Sequence, residues 1–154
     1  YDYYFKVTDA LLKNDINVLL NLFNEILDNG FDGHHFINGL AEHLRDILVS
    51  KDESTLKLLE KGDVLEQRYL EQSKICELSF LIPALSLCNE CDVQYKTSKN
   101  QQLLVELTLM KLCSIGIEEL KKKTTNSIKL PTSSSKDDKV ITDAITEIKK
   151  QEKN

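Results

Sequence analysis

All three histidines of this 154-residue chain fall inside one stretch, GFDGHHFINGLAEHLRDIL, at residues 30–48. His34 and His35 are adjacent, and His43 follows among three glycines and an Arg45–Asp46 pair. Imidazoles and carboxylates this close together could build a zinc site, and glycines at a helix start could cradle a phosphate. Neither chemistry finds its spacing here. A zinc site on one helix takes ligands at i and i+4. On a wheel of about 100° per residue His34 points about 180° from His43, and His35 stands about 12 Å along the axis from it. The glycines give GFDG and GHHFING. Neither is Gly-x-x-x-x-Gly-Lys-Ser/Thr, nor Gly-x-Gly-x-x-Gly after a strand. The three histidines are therefore expected on solvated flanks, with no metal, cofactor or catalytic duty.

The cysteines pose a second question. Cys88 and Cys91 form a Cys-x-x-Cys, CNEC. A structural zinc would need a second ligand pair, which Cys76 and Cys113 do not make, and a thioredoxin-like motif would need a preceding strand. Leu81, Ala84, Leu85, Cys88, Cys91 and Tyr95 instead recur at helical spacing, so the thiols are expected to be buried as small apolar groups. The serines cluster in the tail, away from any histidine. Arg45 and Asp46 are adjacent, so they point about 100° apart and are not expected to bond side by side. Each then needs another helix, another subunit or water, which makes both candidate inter-helix or inter-subunit contacts.

The elements that position these residues are helical. Hydrophobic residues make up 41% of the chain, with 2 Pro, 5 Gly and no Trp. So few breakers predict an all-α protein, a single bundle of six or seven helices without a strand. Tyr4, Val7 and Leu11 mark a first helix. Asp15 is placed to cap a second, whose stripe runs Ile16, Leu19, Leu20, Phe23, Ile26 and Leu27 and ends before Gly30. Asp32 caps a third, where Phe36, Ile37, Leu40, Ala41, Leu44, Ile47 and Leu48 share an arc of about 140°. Gly39 sits mid-helix, at a cost of about 1 kcal/mol that a closely approaching helix would offset. Short helices follow from KDESTLKLLEK and DVLEQRYLEQSKICEL. A longer one comes from LSFLIPALSLCNECDVQYKTS, with Pro83 in its first turn or at a break. The last, NQQLLVELTLMKLCSIGIEELKKK, carries Leu103, Leu104, Leu107, Met110, Leu112 and Cys113 and is expected at the centre of the bundle. Composition changes at Leu120. We expect a helical domain at 1–119, a Lys/Ser/Thr-rich linker at 120–139, and at 140–154 a short amphipathic helix or a disordered tail.

Charge narrows the partners. Residues 1–119 carry 11 Lys/Arg against 20 Asp/Glu, a net of −9, while residues 120–154 carry 9 against 5, a net of +4. An acidic body repels phosphates, so direct nucleic-acid binding by it is not expected. No apolar run approaches the length of a membrane span. The opening YDYYFKV shows neither an initiator Met nor a signal-peptide pattern, so a fragment of a longer, cytoplasmic protein with reduced thiols is expected.

Two stretches carry a family resemblance. NDINVLLNLFNEILDNGFDGHHFINGLAEHLRDIL resembles the third domain of bacterial DNA polymerase III subunit gamma/tau, with its helix hairpin, Gly-x-Asp segment and Leu-Arg-Asp-Leu-Leu-like ending, here Leu44, Arg45, Asp46, Ile47 and Leu48. YKTSKNQQLLVELTLMKLCSI resembles the family's last collar helix, with Leu103, Glu106, Met110 and Cys113 in its Leu-x-x-Glu-x-x-Leu-like run. The turn before that helix departs from the family, which often has Pro and Arg where this chain has SKNQQL. The likeness spans about residues 3 to 117. It implies a clamp-loader collar that oligomerises with other gamma/tau copies and with delta and delta-prime. The collar would suspend AAA+ ATPase modules in a ring that loads the sliding clamp on primed DNA. Glu106 joins Arg45 and Asp46 as a candidate contact. The resemblance also implies a non-enzymatic domain. ATP and Mg are expected only in ATPase domains of the parent, a subunit of a DNA-directed DNA polymerase holoenzyme. The competing readings are an unrelated helical adaptor and a metal- or nucleotide-dependent enzyme centred on His34, His35 and the cysteines.

Overall fold

The structure, a computed structural model, describes residues 2–127. Its seven α-helices are α1 (Asp2–Leu12), α2 (Ile16–Asp28), α3 (Gly33–Val49), α4 (Glu53–Leu56), α5 (Asp63–Ile75), α6 (Leu78–Tyr95) and α7 (Gln101–Ser127), with a 3₁₀ turn at Lys57–Leu59. No strand occurs among the described residues.

Side-chain caps set the first boundaries as expected. Asp15 Oδ1 accepts from the Val18 amide at 3.1 Å and Asp32 Oδ1 from the His35 amide at 2.7 Å. Each satisfies one of the amide donors that the first turn of a helix leaves without a partner. Gly30 follows the end of α2 with φ +87°, a conformation glycine adopts at no steric cost. Pro83 lies in the second turn of α6, not in the first, and the helix continues through it.

α3 is the hub. It packs most extensively against α6 and also touches α5, α1 and α2. Its Phe36, Ile37, Leu40, Leu44 and Ile47 are fully buried, joined by Leu11, Leu19, Phe23, Leu81, Val105 and Leu109 from its neighbours. At roughly 1.5–3 kcal/mol for each large side chain taken out of water, this cluster is the main stabilising term. Gly39 explains itself here: a Cβ would overlap the Tyr4 hydroxyl, so α1 approaches α3 as closely as the mid-helix glycine suggests.

α7 differs from its expected place. Val105, Leu109, Leu112 and Cys113 are buried, but Leu103, Leu107 and Met110 are exposed. The helix therefore flanks the bundle by one face and is not its centre. It also runs to Ser127, past the boundary at 120 where the sequence reading begins a linker. No Pro or Gly interrupts the Lys/Thr run there, and Lys123 lies 3.6 Å from Glu77 at the base of α6. Residues up to Lys123 belong to one compact unit, and a second begins at Thr124. The remainder of the expected linker, 128–139, and the expected helix or tail at 140–154 lie outside the described residues.

Candidate functional site

The three histidines diverge, but two of them leave the solvated flank predicted for them. His43 is only 2% exposed. Its Nε2 lies 2.8 Å from Gln72 Oε1 and its Nδ1 3.0 Å from the Tyr69 hydroxyl, both on α5. Gln72 fixes the protonation pattern. Its amide nitrogen donates to the Phe5 carbonyl at 3.1 Å and to Asp9 Oδ1 at 3.0 Å, so its oxygen faces the histidine. His43 Nε2–H must then donate to that oxygen, leaving Nδ1 to accept from Tyr69. Burial depresses the imidazole to a pKa of about 4, against the rise that the Gln72 hydrogen bond and Asp46 favour, so it is neutral at pH 7. The network joins α1, α3 and α5. Both ring nitrogens are engaged by the protein itself.

The physical reason for the miss is visible on the wheel. His43 lies about 20° beyond Phe36, at the edge of the apolar arc, and the next positions outward are Gly39 and Asp46. Tyr4 of α1 and Tyr69 of α5 cover that edge, and local periodicity does not reveal which helices will do so. Ring contacts complete the cover, with Phe5 edge-on to His43 at 4.5 Å between centroids.

Asp46 is also buried, and its surroundings overturn the expectation that it would not bond Arg45. Arg45 Nη1 reaches Asp46 Oδ1 at 3.1 Å, because the long arginine side chain folds back around the helix, and also donates to the Leu58 carbonyl at 3.3 Å. Lys61 Nζ meets the other carboxylate oxygen at 2.8 Å. Arg45 and Asp46 thus tie α3 to the segment before α5 within one chain. Glu106 is half-buried and accepts from the Gln102 amide at 3.0 Å, one turn back on its own helix.

His34 bonds Asp92 on α6 at 2.6 Å and stacks on Tyr95, 4.8 Å between centroids. His35 remains exposed beside Phe31. All four cysteines are reduced and buried, as their spacing suggests. Burial pushes Cys76 up to about 11 and Cys88 up to about 12, and raises Cys91 and Cys113, so the thiols stay protonated and unreactive at neutral pH. Among the described residues no three His, Cys, Asp or Glu side chains converge as a metal set, and no helix is long and apolar enough to cross a membrane.

His34, His43 and Asp46 each join α3 to another segment, while α7 leaves an apolar face outward. That combination defines the class of fold, an all-α helical bundle with one apolar helix face turned outward. Comparison with protein families narrows the class to one family. Residues 2–126 match the family described as DNA polymerase III subunits gamma and tau domain III, and the chain belongs to that family, a non-catalytic domain of the clamp-loader subunit. The match covers nearly all described residues and replaces the competing reading of an unrelated adaptor. No curated protein and no solved structure matches the chain.

Proposed function

We propose that this domain is the collar of the clamp loader: the part through which gamma/tau subunits join one another and the delta and delta-prime subunits, holding the AAA+ ATPase modules in a ring. The observation that carries this is the family match across residues 2–126. ATP and Mg are handled by the ATPase modules and not by this domain, and the sliding clamp and primed DNA are contacted by the complex. The acidic body supports that division, since it repels a phosphate backbone. The setting is the cytoplasm, where replication proceeds and the buried thiols stay reduced.

The test is sedimentation of the intact subunit, mixed with delta and delta-prime, with and without residues 2–126. Loss of the multi-subunit species on deletion is expected, with ATP binding by the remaining modules retained. An unchanged assembly state would overturn the reading.

A further inference from the structure

The outward face of α7 is not used by the bundle. Leu103, Leu107, Met110 and Ile117 are 41–55% exposed, although Val105, Leu109 and Leu112 on the same helix are completely buried. With Ser114 they recur at intervals of four, three, four and three residues. That is the heptad spacing of a coiled-coil seam. The five positions share an arc of about 80° and run about 21 Å along the axis. Among the described residues, exposed apolar side chains elsewhere do not line up in this way: on α6, Ile82 and Val93 are separated by Ser86 and Asn89.

The flanking charges select the occupant. Glu106 precedes the Leu107 core position and Lys111 follows the Met110 position, on opposite edges of the stripe. Five residues separate them, the offset at which one helix meets a parallel neighbour across a seam. Two parallel copies of α7 in register would thus form Glu106–Lys111 pairs on both sides. An antiparallel arrangement that matches Leu107 with Ile117 would bring the two Lys111 side chains together, and like charges there oppose association. The buried face of α7 lies roughly opposite the stripe, so two such copies keep their bundles apart.

We propose that α7 is a self-association seam, pairing parallel and in register with α7 of a second copy through Leu103, Leu107, Met110, Ser114 and Ile117. The proposal rests on the assembly reading above; an in-register pairing is isologous and closes at two copies, so it joins a pair of copies beside the heterologous contacts that continue a ring.

Sedimentation equilibrium of the 154-residue chain tests it. A concentration-dependent monomer–dimer equilibrium is expected. Glu106→Lys and Lys111→Glu should each weaken dimerisation by about tenfold, and the double charge swap should restore it to within about threefold. Leu107→Lys should abolish it while leaving the helical circular dichroism intact. Ser114→Cys should form a disulfide-linked dimer under mild oxidant, since the native thiols are buried. A chain that stays monomeric to about 1 mM would overturn the seam. So would a dimer that survives Leu107→Lys, or single charge variants that the swap does not rescue. If the full subunit nevertheless loses assembly on deletion of residues 2–126, the collar reading stands and only the seam fails.

Discussion

α3 and α7 carry similar apolar spacing and meet different fates. In α3 the apolar arc and even the polar positions beside it are covered, so His43 and Asp46 become internal joints. In α7 one face is packed as tightly, while the opposite face, equally apolar in sequence, is left in water. The difference teaches that an apolar stripe states a demand for burial and not who meets it. α3 satisfies that demand within the chain, from five neighbouring segments. α7 satisfies half of it there.

Substitutions can break or sharpen this contrast. The largest effect belongs to the inner faces: Leu40→Ala on α3 and Leu109→Ala on α7 should each destabilise by about 2–5 kcal/mol in urea denaturation, because both side chains are completely buried. Equal costs would show the packed half of α7 to be core. Asp46→Ala should follow at about 3 kcal/mol, since it leaves Lys61, largely enclosed, without its carboxylate partner. A loss below about 0.5 kcal/mol, the range of an exposed pair, would mean that the joint carries no weight.

Acid probes α3 in another way. Unfolded His43 takes its proton at the ordinary value near 6.5 and the folded residue at about 4. Between those values the unfolded chain binds more protons, so stability rises with pH. The neutral imidazole's contribution, on the order of 3 kcal/mol, is complete above about pH 6.5 and lost as pH falls towards 4. Denaturation midpoints at pH 7 and 4.5 should therefore diverge more for the native chain than for a His43→Gln variant. Gly39→Ala should cost about 1–3 kcal/mol through overpacking against Tyr4, where an open helix position would gain about 1. In a Tyr4→Ala background the same change should turn favourable. The smallest effect is the most telling: Leu107→Lys should shift monomer stability by less than about 0.5 kcal/mol.

The sequence made much of this legible. Asp15, Asp32 and Gly30 announced their helix ends because capping chemistry is local. Cys88, Cys91 and Cys113 announced burial because they fall on apolar stripes. His43 and the outer face of α7 depart from their expected places for one reason. Whether a position at the margin of a stripe is covered depends on helices distant in sequence, and wheel geometry contains no information about them. Arg45 was misread because Cα directions ignore how far a flexible side chain can fold back.

The bond from the Gln72 amide to the Phe5 carbonyl spans 67 residues of sequence. On a ribosome adding about 5–20 residues per second, those partners are made roughly 3–13 s apart. α1 and α2 can pair as soon as they emerge, but Phe5 then waits for Arg68, which lies over its ring, and for Tyr69, which packs tilted against it in the finished bundle. Throughout that interval the nascent hairpin presents an aromatic side chain to whatever greets it at the exit tunnel. The joint that locks the folded domain thereby also sets when its first helix can be finished.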